Sequence, residues 1–206
     1  MARGKFITLE GGEGAGKSTQ AKKLAAYLKG QGIKTVLTRE VGGTETAEAI
    51  RKLWLSQDEG CWDKLAELFL IFAARREHLT KVIWPALERG TWVVCDRFMD
   101  STRAYQAKAG PIEELYRMTA GKFAPDLTLL LDTPEDISME RVRARGGWQD
   151  RYDLKEAKFH RALRKTYRAL AKKYPRRIKI VDARNDADHV AGDVQAIVGK
   201  LFRLKT

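Results

Sequence analysis

A doubly wound α/β fold, with a five-stranded parallel sheet and helices on both faces, is the architecture this 206-residue sequence predicts. Three observations carry the prediction. Residues 5–10 and 34–39 read as strands, and the runs at 91–95, 127–131 and 177–181 are largely apolar or β-branched, as suits parallel strands covered on both faces. Segments with helical spacing separate them, so βαβ units follow one another without a linker or an internal repeat. Polar residues cluster directly after each run, where ligands gather at the carboxyl ends of parallel strands.

Each element has its own grounds. Lys5-Phe-Ile-Thr-Leu-Glu10 reads as a buried strand, and residues 18–30 as an amphipathic helix that stops at Gly30. Residues 34–39 form the second strand, followed by a Gly42-Gly43 turn and a helix over residues 46–55. Residues 65–89 repeat at helical spacing, with Pro85 kinking or dividing the segment. The polar clusters after the strands are Arg39 to Thr44, Asp96-Arg97-Phe98, Asp132-Thr133 and Asp182-Ala183.

Composition narrows the class. A chain of this length is one domain, residues 1–206, of ample size to bury a core. Hydrophobic residues make up 44%, no run approaches the ~18 residues of a membrane span, and the N-terminus has no signal-peptide pattern. Cys61 and Cys95 form no C-x-x-C pair, which argues against a disulfide scaffold and fits a cytoplasmic location. The net charge of +12 admits a nucleic-acid surface or an enzyme with polyanionic substrates. Its basic residues concentrate at 141–145, 151 and 155–177, mostly one helical stretch, and aromatics do not alternate with them. No nucleic-acid partner is expected.

Gly11-Gly12-Glu13-Gly14-Ala15-Gly16-Lys17-Ser18 fits the G-x-x-x-x-G-K-[ST] phosphate loop, between a strand and a helix as that loop requires. Glycines let successive N–H groups and a helix N-terminus point at one anion. Lys17 adds positive charge near the β- and γ-phosphates, and the Ser18 hydroxyl is a ligand for Mg²⁺. The chain is therefore expected to bind a nucleoside triphosphate in a P-loop NTPase fold. Asp96, at the end of the third strand, is the second expected metal ligand, with Arg97 beside it for a further phosphate. Asp132 reads instead as a turn or N-cap residue before Pro134.

These motifs, together with Thr38-Arg-Glu-Val-Gly-Gly-Thr44, Ala73-Ala-Arg75-Arg-Glu-His78, Asp96-Arg-Phe-Met-Asp-Ser-Thr-Arg-Ala-Tyr-Gln106 and Pro125-Asp-Leu-Thr-Leu-Leu-Leu-Asp132, occur in the order seen in thymidylate kinases. The chain resembles that family along essentially its whole length. The resemblance implies transfer of the γ-phosphoryl group of ATP to dTMP, and a homodimer. On the donor side it implies that the loop amides, Lys17, Ser18 and Thr19 hold ATP–Mg²⁺. On the acceptor side Arg97 and Arg51 would take the dTMP phosphate, Arg75 the thymine ring with Arg76 at the surface, Thr102 and Gln106 the base, and Tyr105 the sugar. Glu13 resembles the family acid that reaches the acceptor sugar or metal-bound water.

Residues 143–153, around Arg143-Ala-Arg145-Gly-Gly-Trp-Gln-Asp-Arg151, resemble the mobile lid that closes over ATP. The phosphate loop offers Glu13 and Ala15 where some family members carry an arginine. Arg145 and Arg151 are thus expected to supply the catalytic charge. Two positions depart from the family: Val41 stands where proline is usual, and Ile71 stands four residues before Arg75, where many relatives have a thymine-stacking phenylalanine. Either the adjacent Phe72 takes over that stack or the base lies on an aliphatic wall. The alternatives to a thymidylate kinase are a broader deoxynucleoside-monophosphate kinase, a deoxynucleoside kinase and a non-catalytic P-loop nucleic-acid-binding protein. Arg51 and Arg97 favour a phosphorylated acceptor over a nucleoside.

Overall fold

The computed structural model describes residues 2–55, 61–144, 146, 152 and 156–204. The elements in chain order are β1 (Phe6–Glu10), α1 (Lys17–Gly30), β2 (Thr35–Arg39), α2 (Glu45–Leu55) and α3 (Lys64–His78). A π-helical turn (Leu79–Ile83), α4 (Trp84–Glu88), β3 (Trp92–Asp96), α5 (Met99–Tyr105) and α6 (Ile112–Ala120) follow. β4 (Leu127–Asp132), α7 (Glu135–Ala144), α8 (Ala157–Lys173), β5 (Ile178–Asp182) and α9 (Ala187–Phe202) complete the series. All five expected strands form, each within a residue or so of the expected bounds.

The strands join one parallel sheet in the order β2-β3-β1-β4-β5. Alternation along each strand builds a core on either face. Phe6, Val93 and Cys95 pack with Leu68, Phe72, Leu87 and Leu115 on one side. Ile7, Leu9, Val94, Leu129 and Leu131 pack with Leu24, Leu28, Val194 and Val198 on the other. The expected doubly wound sheet with helices on both faces is thus the one found. β1 lies at its centre, flanked by β3 and β4, where the winding reverses. The loop after β1 therefore opens into the crevice at the carboxyl edge, with the ends of β2 and β3 alongside.

Pro85 does divide the long helical segment, but the break lies upstream of it. Proline at residue 85 can donate no hydrogen bond and its ring excludes the carbonyl one turn before it, so the ladder opens to a π turn. There Trp84 donates to Leu79 O, five residues back. Among the described residues no helix is long and apolar enough to cross a membrane. Of the expected lid, Arg145 and Arg151 lie outside the described residues.

Leu129 is fully buried in β4 against the α1–α9 face. Leu129→Ala is expected to cost about 2–5 kcal/mol of stability, read as a lower urea midpoint at unchanged slope.

Candidate active site

A cavity of about 420 Å³ occupies the crevice at the carboxyl edge of β1, β2 and β3. Glu13, Gly14, Gly16, Lys17, Ser18 and Thr19 line it from the phosphate loop and the start of α1. Facing them are Arg51, Arg75, Asp96, Arg97, Thr102, Tyr105 and Gln106. Gly11, Gly12 and Ala15 back onto a much smaller cavity beneath the loop, with Asp132, Ser138 and His160.

The loop's shape follows from its glycines. Gly14 and Gly16 have φ of 70° and 86°, the left-handed region that side chains avoid. A Cβ at Gly14 would also lie 2.0 Å from Ser138 O of α7. Inside the loop the Lys17 ammonium donates to Gly12 O at 2.6 Å. Burial, with Arg97 nearby, lowers its pKa against the opposing pull of Glu13, Asp96 and Glu10.

The Ser18 hydroxyl donates to Asp96 Oδ2, while the buried Asp96 Oδ1 has no hydrogen-bond partner in the protein. Two hard oxygens and an unsatisfied carboxylate atom at a phosphate loop suit Mg²⁺, which takes one or two protein oxygens and completes its shell with phosphate and water. Among the described residues no three His, Cys, Asp or Glu side chains are grouped to form a cage of their own.

Arg97 is the pivot between the two halves. It has φ 69°, and its guanidinium donates to Glu13 Oε1 at 2.5 Å, Ser101 Oγ at 3.2 Å and Gly11 O at 3.3 Å while lying over the Tyr105 ring. The Tyr105 hydroxyl donates to the same Glu13 oxygen at 2.7 Å. Burial alone raises the Glu13 carboxyl, but Arg97 and Lys17 pull it down to about 2, so it stays ionised. Behind Arg97, Glu10 accepts from Phe98 N at 2.9 Å, Ser101 Oγ at 2.6 Å and Tyr167 Oη at 3.2 Å. It thereby holds the turn that carries Arg97.

At the far end Arg75 is buried between the Phe72 and Phe98 rings. Its Nε donates to Glu40 Oε2 at 2.8 Å and its Nη2 to Thr102 Oγ1 at 2.9 Å. Arg76 points away, to Thr119 O at the surface. Arg51 donates to Val41 O at 3.0 Å, beside a cis Glu40–Val41 peptide. Gln106 donates to Glu67 at 3.2 Å and Tyr152 Oη at 3.1 Å.

Two expectations are corrected. Phe72 is not a cavity residue: it is 2% exposed and packs into the core under the sheet, while Ile71 lines the cavity. Neighbouring helical positions lie about 100° apart, and the roll of α3 turns Ile71 to the crevice. Asp132 neither caps nor turns; it binds the Arg164 guanidinium of α8 through both oxygens, at 2.7 and 2.9 Å. Sequence reasoning also missed Glu10, Glu40 and His78, whose partners come from distant segments. Their signals were a carboxylate ending the buried β1, another directly after β2, and the histidine of the Ala-Ala-Arg-Arg-Glu-His run.

Burial, reinforced by the Asp100 carboxylate, raises the Glu10 carboxyl from 4.5 to about 7 against the hydrogen bonds from Ser101 and Phe98. Between those values the folded protein holds a proton that the unfolded chain has lost, so stability falls as pH rises through the window. Glu10→Gln cannot titrate. Its stability relative to the parent should improve by about 1–3 kcal/mol from pH 5 to pH 8, measured by urea denaturation. Parallel parent and variant profiles would refute this titration.

Comparison with known proteins agrees with this geometry. The family model described as thymidylate kinase matches residues 9–194. A thymidylate kinase of Bradyrhizobium diazoefficiens is 48% identical, over 93% of this chain and 87% of its own. One of Alkalilimnicola ehrlichii is 50% identical, over 89% of this chain and 87% of its own. The crystal structure of thymidylate kinase from Ehrlichia chaffeensis superposes with a TM-score of 0.75 at 32% identity, covering 95% of this chain and 99% of that one. With a phosphate loop and an arginine-lined crevice on a five-stranded parallel sheet, the chain belongs to the thymidylate kinase family.

Proposed function

We propose that the chain transfers the γ-phosphoryl group of ATP to dTMP, giving ADP and dTDP for dTTP supply, and that residues 1–206 act as one nucleoside-monophosphate kinase domain. One observation carries this reading: a single cavity holds the phosphate loop at one side and Arg51, Arg75 and Arg97 at the other. Two anionic substrates are thereby brought end to end in a shielded cleft. The family relationship supports the choice of thymine, and Ile71 in the wall favours the broader deoxynucleoside-monophosphate kinase as second reading.

The acceptor oxygen belongs to a phosphate that is already ionised, so the reaction needs charge neutralisation more than a general base. Lys17 leaves Gly12 O and turns its ammonium to the β- and γ-phosphates. Arg97 and Arg51 hold the acceptor phosphate in line, with Glu13 fixing the Arg97 guanidinium and reaching the acceptor sugar beside Tyr105. Thr102 and Gln106 border the base, and Thr19 supports the donor phosphates from the first turn of α1. Ser18 and Asp96 are the residues that would hold Mg²⁺, whose charge offsets that on the β- and γ-phosphates when bound. Arg145 and Arg151 supply further positive charge from the lid.

The chain is proposed to work in the cytoplasm as a homodimer. Exposed Leu65 and Phe69, one turn apart on α3, and exposed Met118 on the adjacent α6 give that dimer an apolar face. No nucleic acid or membrane partner enters this reading.

ADP release measured across dTMP, dUMP, dCMP, dGMP, dAMP and thymidine tests it. Turnover is expected with dTMP and not with thymidine; no rate with any monophosphate ends the kinase reading. Lys17→Ala should lose most turnover with little change in melting temperature, and Arg97→Ala should raise KM for dTMP while lowering kcat. In single-turnover transfer, Arg145→Ala and Arg151→Ala should slow the chemical step about 10²–10³-fold, the second more, with ATP binding little changed. Rates within a few-fold of the parent for both would reduce the lid to a cover.

A further inference from the structure

The loop after β2 joins Arg75 to one buried polar chain. Thr38, Glu40, His78, Arg75 and Thr102 come from β2, the β2 loop, α3 and α5. Glu40, His78 and Arg75 are each under 5% exposed. Glu40 Oε2 accepts from Arg75 Nε at 2.8 Å, and Glu40 Oε1 faces His78 Nδ1 at 3.4 Å. His78 Nε2 meets Thr38 Oγ1 at 2.7 Å. A carboxylate only accepts, so with the Nδ1 proton toward Glu40 a neutral imidazole accepts the Thr38 hydroxyl proton at Nε2. Above this pair lies Gly43 at φ 87°, where a Cβ would be 2.4 Å from His78 Nε2 and 2.6 Å from Thr38 Oγ1. The loop is thus pressed directly onto the histidine.

This chain decides which Arg75 hydrogens remain for a ligand. A guanidinium has five N–H groups. Glu40 takes Nε–H, Met99 Sδ takes one on Nη1 and Thr102 takes one on Nη2, leaving two on the group that lines the cavity. Rotation of the group would exchange these partners, and Glu40 opposes it by binding the one nitrogen on the arm side. Although burial works against it, the neighbouring Arg75 charge and His78 hold the Glu40 carboxyl below its ordinary pKa, so the pairing is ionic.

We infer that Glu40, backed by His78, is a positioning residue that sets discrimination at the 4-position of the acceptor's pyrimidine ring. Arg75 offers only donors there. A 4-oxo group accepts them, whereas a 4-amino group presents hydrogens of its own and leaves buried donors unpaired. This rests on the proposed kinase reading, and in particular on Arg75 at the base. The methyl group at the 5-position is sensed by packing and not by this chain.

The test compares kcat/KM for dTMP, dUMP and dCMP, and KM for ATP, in the parent, Glu40→Gln and His78→Gln, with melting temperatures to verify folding. The dUMP-to-dCMP preference should fall about 10–100-fold in Glu40→Gln and in the same direction, by less, in His78→Gln. The dTMP-to-dUMP ratio and KM for ATP should stay within about twofold. A Glu40→Gln enzyme that keeps its dUMP-to-dCMP preference overturns the inference, and so does one in which both ratios collapse together, since that marks a loosened pocket. Should Glu40→Gln not fold, His78→Gln decides, because it leaves the Glu40–Arg75 ion pair in place; an unchanged preference there overturns the inference. A parent that fails to turn over dTMP overturns the kinase reading itself, and the two failures are thereby told apart.

Discussion

A cation cannot wait in a dry crevice without a counter-charge, and the organisation of this site follows from that constraint. Lys17 and Arg97 are both buried from most solvent at the central edge of the sheet. Until an anion arrives, the protein itself must satisfy them. Gly12 O accepts from Lys17, and Glu13 accepts from Arg97, with Glu10 and Asp96 adding negative charge from the ends of β1 and β3. The carboxylates sit there because β1 and β3 are neighbours in register, Leu9 opposite Asp96. On the proposed reading an incoming phosphate replaces a neutral carbonyl at Lys17, while Glu13 stays on Arg97.

How much of this was legible in the sequence depended on range. The phosphate loop and the strand runs are local patterns, and the structure forms them where the residues indicate. Asp96 beside Arg97 was legible for the same reason, since adjacent residues at a strand end share its position. The phase of α3 was not. Ile71 and Phe72 are both apolar and adjacent, and only the packing of the helix against Phe6, Leu79 and Phe98 decides which one faces the crevice. Asp132 with Arg164, and Glu40 with Arg75 and His78, pair across more than 30 residues, and nothing in the spacing announces them. Pro85 told of a break but not where the ladder would open.

The excess of basic residues has a partly internal explanation. Arg141 donates to three carbonyls of the β5–α9 connection, those of Ala183, Arg184 and Asn185. Arg103 and Arg177 converge on the buried Asp100, and Arg177 also donates to Thr128 in β4. Arg164 fastens α8 to the end of β4. In each case a planar fork of donors ties two segments through several acceptors at once, which an ammonium does less well. A composition that reads as a surface for polyanions is therefore in good part the fastening of helices to the sheet edge.

The missing side chain at Gly14 has a mechanical meaning. Backbone lies on backbone where the loop meets Ser138, so no rotamer stands between them to absorb a displacement. The phosphate loop and α7 thus meet with no side chain between them, and the position of that helix, Glu135–Ala144, sets how closely the loop can be wound.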